Sequence, residues 1–309
     1  MEKSMNFNDI DFKNGMAARI EEIESVIKSF LPKEKGYQKT VIEAMNYSVL
    51  AGGKRLRPML LWETYRMFGG DGEEVNPFLA ALEMIHTYSL VHDDLPCMDD
   101  DEYRRGRKTT HAVYGEGMAV LAGDALLNYA FETAISALSK AKDAGEMEKV
   151  SKALAILSGK AGIYGMIGGQ NADIEAEDKG AVVSEEQLLF IYGYKTAALI
   201  QCAMMIGAVL ADAGEEQIKK IENCAYNIGV AFQIQDDILD ITGSLEALGK
   251  QTGSDEKNHK ATYVSLKGME EAKKEVERLS KEAMDILGSF AERNEFLEAL
   301  VEQLITRER

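Results

Sequence analysis

Apolar residues recur at spacings of three and four along most of the chain, in stretches near 16–30, 39–51, 59–68, 77–95, 116–139, 147–166, 185–212, 216–242, 266–288 and 294–306. That spacing keeps one face of an α-helix apolar, whereas clean alternation with period two, the mark of a half-buried strand, is scarce. All four prolines, Pro32, Pro58, Pro77 and Pro96, lie in the first third. Proline removes a helical N–H and clashes with the preceding turn, so the proline-free remainder can form long helices. The predicted class is all-α. Ser184 before Glu185, Glu186 and Gln187 predicts a helix N-cap with an acidic first turn, and Asn76-Pro77 predicts a cap followed by proline at the first helical position. Gly69-Gly70-Asp71-Gly72 is expected to end the helix before it.

Two acidic clusters interrupt this pattern: Asp93-Asp94 with Asp99-Asp100-Asp101, and Asp236-Asp237 with Asp240. Like charges about 4 Å apart repel by roughly 4 kcal/mol at an effective dielectric of 20, so carboxylates gathered in one pocket require cations. Hard oxygen donors without a Cys or His set favour Mg2+, which keeps waters and completes its octahedron with substrate phosphate. Asp236 and Asp240, four apart, share one helix face with Asp237 beside them, a spacing that can clamp one or two metal ions. Asp93 and Asp99, six apart, would point about 240° apart on an unbroken helix. Pro96 lies between them, and a break there is expected to bring Asp99 back toward Asp93.

Basic residues gather nearby. Lys54, Arg55 and Arg57 surround the Gly52-Gly53 turn, Arg104-Arg105-Gly106-Arg107-Lys108 follows the first acidic run, Lys250, Lys257 and Lys260 follow the second, and Arg307 and Arg309 end the chain. Arg forks and Lys point charges are the usual grips on phosphate oxygens, so acids for metal beside bases for phosphate read as a diphosphate site. Taken singly, His86 and His92 read as core histidines, and Asp124 as a cap or internal hydrogen-bonding group.

With 309 residues at 46% hydrophobic and no evident linker, the chain is expected to form one domain over 1–309. The Gly- and Lys-containing run 243–260 reads as a site loop. A net charge of −17 argues against nucleic acid as a partner. Cys97, Cys202 and Cys224 form neither a disulfide framework nor a zinc motif. Neither a signal-peptide pattern nor a run of 18 apolar residues is present, so a cytoplasmic protein without a membrane span is expected.

The ordered set Gly52-Gly53-Lys54-Arg55-Leu56-Arg57-Pro58, the block from His86 to Gly106, Gly168-Gly169-Gln170 with Asp173, Lys195-Thr196, Phe232-Gln233 running into the second cluster, and Gly249-Lys250 with Lys257 and Lys260 resembles the trans-polyprenyl diphosphate synthase family. The likeness is strongest to its short-chain bacterial members. It implies one bundle of long helices around a deep cavity, a homodimer, and two facing aspartate motifs that bind three Mg2+ (Mn2+ as a substitute) on an allylic diphosphate. By position, Asp93, Asp99 and Asp236 would be metal ligands, with Asp94, Asp237 and Asp240 in support. Arg104, Lys195 and Lys250 would hold the allylic diphosphate, dimethylallyl or geranyl. Lys54, Arg57, His86 and Arg105 would hold isopentenyl diphosphate. Thr196 and Gln233 would face the developing allylic cation, and Lys260 would help close the site.

The resemblance also bears on product length, which the family sets beneath the first motif. One turn before Asp93 stand Thr87, Tyr88 and Ser89. Helical geometry puts Ser89 directly under Asp93. In the family, however, an aromatic five residues before the motif, with a two-residue insertion seen here as Pro96-Cys97, accompanies a C15 product. Farnesyl diphosphate is therefore expected, and C20 geranylgeranyl diphosphate is the alternative. Tyr103 and Arg107-Lys108 depart from the usual aliphatic residue and Lys-Pro. A metal-dependent phosphohydrolase, suggested by His92-Asp93, would need a histidine set that His86, His92, His111 and His259 do not form in sequence. A terpene cyclase would lack the Gly-Gly-Lys-Arg segment, and a non-catalytic subunit would have lost the second acidic cluster.

Overall fold

The computed structural model describes residues 9–177, 183–242 and 261–306. Among them the chain is helical apart from one hairpin, β1 (Tyr103–Arg104) with β2 (Arg107–Lys108), so the all-α expectation holds. The chain forms two compact units, Met1–Trp62 with Asp71–Leu154, and Glu63–Gly70 with Ala155–Arg309.

The helices up to the first unit's end are α1 (Asp9–Phe30), α2 (Lys39–Val49), α3 (Leu56–Met67), α4 (Asn76–Asp93), α5 (Thr110–Tyr114), α6 (Glu116–Ile135) and α7 (Ala144–Ala161). α4 packs against α1, α2 and α6. It is apolar nearly all round, with Phe78, Leu79, Leu82, Met84 and Ile85 fully buried, as a central helix must be. α6 offers Ala119, Ala122, Gly123, Leu126, Ala130 and Ala134 at helical spacing. A Cβ on Gly123 would fall 2.0 Å from His92 Nε2, so the bare glycine lets α6 meet the end of α4. Val120, Leu121 and Ile135 on α6 stay exposed.

The expected Asn76 cap does not form. A 3-10 turn, Glu73–Val75, runs straight into α4, so Asn76 already has helical angles (φ −57°, ψ −44°), and no side chain caps the helix. Pro77 does occupy the first turn, where its missing N–H costs nothing.

In the second unit α3 ends as expected. Gly70 N–H donates to Tyr65 O (2.9 Å) and Gly69 N–H to Arg66 O (3.0 Å), with Gly69 left-handed at φ 85°, which is a Schellman motif. Then come α8 (Met166–Glu177), α9 (Glu185–Ile191), a π-helical segment (Tyr192–Ala197), α10 (Ala198–Leu210), α11 (Glu215–Thr242) and helices Tyr263–Lys267, Met269–Gly288 and Glu295–Thr306. Ser184 caps α9 reciprocally with Gln187, as its sequence predicted. α11, about 42 Å long at 1.5 Å per residue, packs on α10 and on Met269–Gly288, whose buried stripe is Ala272, Val276, Leu279, Ala283 and Leu287. Glu185–Leu210 is long and apolar enough to cross a bilayer, but 67% of its most apolar window is buried in the protein, as in a core helix.

Candidate active site

In the first unit, α4 stops at Asp93 and the chain folds back. Met98 and Asp100 N–H both donate to Leu95 O (2.8 and 3.1 Å), and Asp99 N–H donates to Asp93 O (2.8 Å). The break around Pro96 therefore returns Asp99 to Asp93, as the six-residue spacing demanded. Asp93 is half-buried and Asp99 exposed. Asp94 is buried and gripped by Arg104, through Nε (2.7 Å) and Nη2 (2.5 Å), with Asp101 3.6 Å from the same guanidinium. Burial pushes the Asp94 carboxyl above its ordinary pKa, against the pull of Arg104.

The next residue serves a different cluster. Arg105 and Gly106 form the two-residue loop of the hairpin with positive φ (53° and 74°), the geometry of a type I′ turn. Holding a non-glycine residue left-handed costs on the order of 1 kcal/mol. The guanidinium of Arg105 lies against Gly53, where a Cβ would fall 2.6 Å from Nη1, and it donates to Gly52 O. Tyr47 steadies the hairpin: its hydroxyl donates to Lys108 O (2.7 Å) and its ring lies 4.5 Å from the Arg107 guanidinium. The Arg107-Lys108 departure thus has a partner in this chain.

Arg57 Nη1 lies 3.2 Å from His86 Nε2, while Arg57 Nε is buried without a hydrogen-bond partner. Desolvation lowers the Arg57 pKa to about 10. Burial first, then Arg57, Arg105, Arg104 and Arg55, hold His86 well below its usual 6.5, so it is a neutral imidazole accepting from Arg57. A buried arginine nitrogen without a partner, in the field of the Arg105 charge that also lowers its pKa, suits an anion.

Arg55 was expected among the cations around the Gly52-Gly53 turn, and here the structure corrects the reading. It is buried, at φ 47°, donating to Glu83 Oε1 (2.7 Å) and Val49 O (2.8 Å), with Glu24 at 3.4 Å. Only Lys54 of the three is exposed.

His86 carries a pH consequence. Its folded pKa lies below its unfolded value, so between the two the unfolded chain binds the extra proton and stability rises with pH. His86→Gln is expected to flatten the fall in stability below about pH 6.5 that this linkage produces. Denaturant titrations of both proteins from pH 7.5 to 5.0 test this, and parallel curves would refute it.

In the second unit, Lys195 and Thr196 stand in the π segment. A π turn holds one residue more than an α turn, and such turns recur at functional sites. Lys195 Nζ donates to Asp173 Oδ2 (2.5 Å) and Thr196 Oγ1 to Gln233 Oε1 (2.9 Å). Asp237 is buried, its Oδ2 accepting from the Tyr192 hydroxyl (2.5 Å) and Tyr263 N–H (2.7 Å). Expected beside metal, this carboxylate joins α11 to the π segment and to Tyr263–Lys267. Nothing in the sequence marked Tyr192 or Tyr263 as its partners. Asp173, Lys195, Thr196, Gln233, Asp237 and Thr262 line one cleft. Asp236 and Asp240 are half-buried, four apart on α11. Lys250, Lys257, Lys260, the loop 243–260, Arg307 and Arg309 lie outside the described residues.

Of the two chain-length candidates, Tyr88 is buried and meets the His92 ring edge-on (centroids 5.8 Å apart), and burial with Asp93 pushes its phenol up to about 12. Ser89 spends its hydroxyl on His86 O of its own helix (2.9 Å).

Among the described residues no three His, Cys, Asp or Glu side chains converge on a metal-sized point. Mg2+ does not need such a cage, because it is commonly held by one or two carboxylates with phosphate oxygens and water. Asp93 with Asp99, and Asp236 with Asp240, fit that donor set.

The sequence matches the polyprenyl synthetase family over residues 38–304. The chain belongs to this family. It is 44% identical over 266 residues to farnesyl diphosphate synthase of Bacillus subtilis, spanning 86% of this chain and 88% of the relative. It is 41% identical over 302 residues to geranylgeranyl diphosphate synthase of Cyanophora paradoxa, spanning 98% and 97%. The crystal structure of Helicobacter pylori geranyltransferase complexed with magnesium and isoprenyl diphosphate superposes with TM-score 0.80 at 33% identity, covering 94% of this chain and 95% of that one. This polyprenyl synthetase family member is a short-chain trans-prenyltransferase with the isoprenoid synthase fold, and its family uses Mg2+. The hydrolase and binding-subunit alternatives are set aside.

Proposed function

We propose that the protein makes farnesyl diphosphate, condensing isopentenyl diphosphate with dimethylallyl and then geranyl diphosphate. The observation that carries the C15 reading is the buried Tyr88, five residues before Asp93 and edge-on to His92; in this reading its ring would be the floor under the first aspartate motif. Coverage of nearly the whole chain by a geranylgeranyl diphosphate synthase at 41% identity keeps C20 as the second reading.

In this reading Asp93 with Asp99 in the first unit, and Asp236 with Asp240 in the second, would hold Mg2+, while Asp94 and Asp237 brace the two motifs through Arg104, Tyr192 and Tyr263. Mg2+ supplies charge neutralisation on the departing pyrophosphate. Lys195, Lys250 and Arg104, once it exchanges partners, hold the allylic diphosphate. Lys54, Arg57, His86 and Arg105 take isopentenyl diphosphate, whose charge satisfies the unpartnered Arg57 nitrogen. The allylic C–O bond breaks with its electron pair leaving on pyrophosphate, and the Thr196 and Gln233 oxygens face the cation. The isopentenyl double bond forms the new C–C bond, and pyrophosphate takes the proton lost. The two units act together as one synthase domain, as the single family match spanning both supports. Exposed Val113, Val120, Leu121 and Ile135 on α5 and α6 support a homodimer, and a cytoplasmic location is part of the same proposal.

The test is to incubate the protein with Mg2+, isopentenyl diphosphate and geranyl diphosphate and to size the dephosphorylated product. A C15 alcohol is expected, and a C20 alcohol would overturn the C15 reading. Tyr88→Ala should lengthen the product by at least one isoprene unit, and an unchanged product would remove Tyr88 as the floor.

A further inference from the structure

The π segment Tyr192–Ala197 is gripped in the same manner by two helices. On α8, Gly169 lies against the Tyr194–Lys195 peptide, where a Cβ would fall 2.1 Å from Lys195 N and 2.5 Å from Tyr194 C. Four residues on, Asp173 accepts from Lys195 Nζ. On α11, Gly229 lies against Ala197, where a Cβ would fall 2.3 Å from its Cβ and 2.5 Å from its Cα. Four residues on, Gln233 accepts the Thr196 hydroxyl, and four further Asp237 accepts that of Tyr192. Residues four apart share a helix face. Each helix therefore presents a bare stretch of backbone followed by a polar hook, and the two hooks hold neighbouring residues of one turn.

The three atoms nearest a methyl at Gly169 are main chain and cannot swing aside. We propose that Gly169 and Gly229 are positioning residues, which fix where Lys195 and Thr196 stand against the allylic diphosphate through the polar partner one turn along each helix. This rests on the roles proposed above for Lys195 and Thr196. Restoring ordinary contact distance beside a new methyl requires a shift of more than about 1 Å. A misplacement of that size costs about 100-fold in rate.

The experiment compares Gly169→Ala and Gly229→Ala with Gly159→Ala and Gly288→Ala, whose added methyls meet nothing within 4 Å. Each full-length protein is assayed with Mg2+, isopentenyl diphosphate and geranyl diphosphate for kcat and both KM values, and melted by circular dichroism. Both positioning variants are expected to lose about 100-fold in kcat. Their KM for isopentenyl diphosphate should stay within twofold and their melting within a few degrees, and the two controls should match the parent. A kcat within threefold of the parent overturns the proposal, as does a loss that disappears when the assay is run well below a lowered melting temperature. If either variant fails to fold, Gly193→Ala, inside the segment itself and with Tyr226 Cε2 nearest its methyl at 2.9 Å, carries the same test with an expected loss of about tenfold in kcat. Lys195→Ala separates the two levels. Full activity there would sink the assigned role of Lys195, whereas an inactive Lys195→Ala beside a normal Gly169→Ala would sink only the positioning role.

Discussion

Replacing Asp93 by alanine is expected to lower kcat by about 10³-fold or more, the scale seen when a group that stabilises transition-state charge is removed. Helix content should barely change. The bonds that shape this end of α4 are main-chain ones, Asp94 N–H to Leu90 O (3.0 Å) and Asp99 N–H to Asp93 O (2.8 Å), and both survive truncation of the side chain. Asp236→Ala should behave alike, being half-buried on a long helix. Steady-state kinetics across a Mg2+ titration, with circular dichroism on the same samples, decide the matter. Near-normal turnover at saturating Mg2+ would remove these carboxylates from the metal assignment.

Arg55→Met should have the largest effect on stability. Arg55 and Glu83 are 1% and 2% exposed and 2.7 Å apart, so methionine leaves a buried carboxylate without its cation. Breaking such a pair from one side costs about 3–5 kcal/mol. For a protein of this size that lowers melting on the order of 10 °C. The double variant Arg55→Met, Glu83→Leu should recover most of the loss, because replacing both members of a buried pair by apolar groups is often neutral. A single variant melting within 2 °C of the parent would show that the pair contributes little.

The two cases differ in how far the sequence disclosed them. Helical periodicity marked nearly every long helix because burial on one face imposes it. α8 escaped, since Gly168 and Gly169 in its first turns weaken helical propensity, and tertiary contacts with the π segment override that weakness. The π segment was invisible because one extra residue in an apolar run leaves the local pattern intact. Asp93, Asp99, Asp236 and Asp240 stood out through charge in the wrong company. Glu83 stood in equally apolar company, in Leu82-Glu83-Met84-Ile85, and could have warned that one nearby cation was structural. Which cation that was depends on the left-handed turn at Arg55, a tertiary fact. The same holds for Asp94 and Asp237, whose partners lie 10, 26 and 45 residues away.

The hairpin at 103–108 also constrains how this chain can change its length. Exposed loops are where insertions and deletions normally accumulate, because little depends on their span. Here one peptide bond separates Arg104, bound to Asp94, from Arg105, laid against Gly53. One residue more or fewer in the Arg105-Gly106 loop would move both cations off their partners together. Related chains should therefore vary freely in side chains around this loop while keeping its residue count.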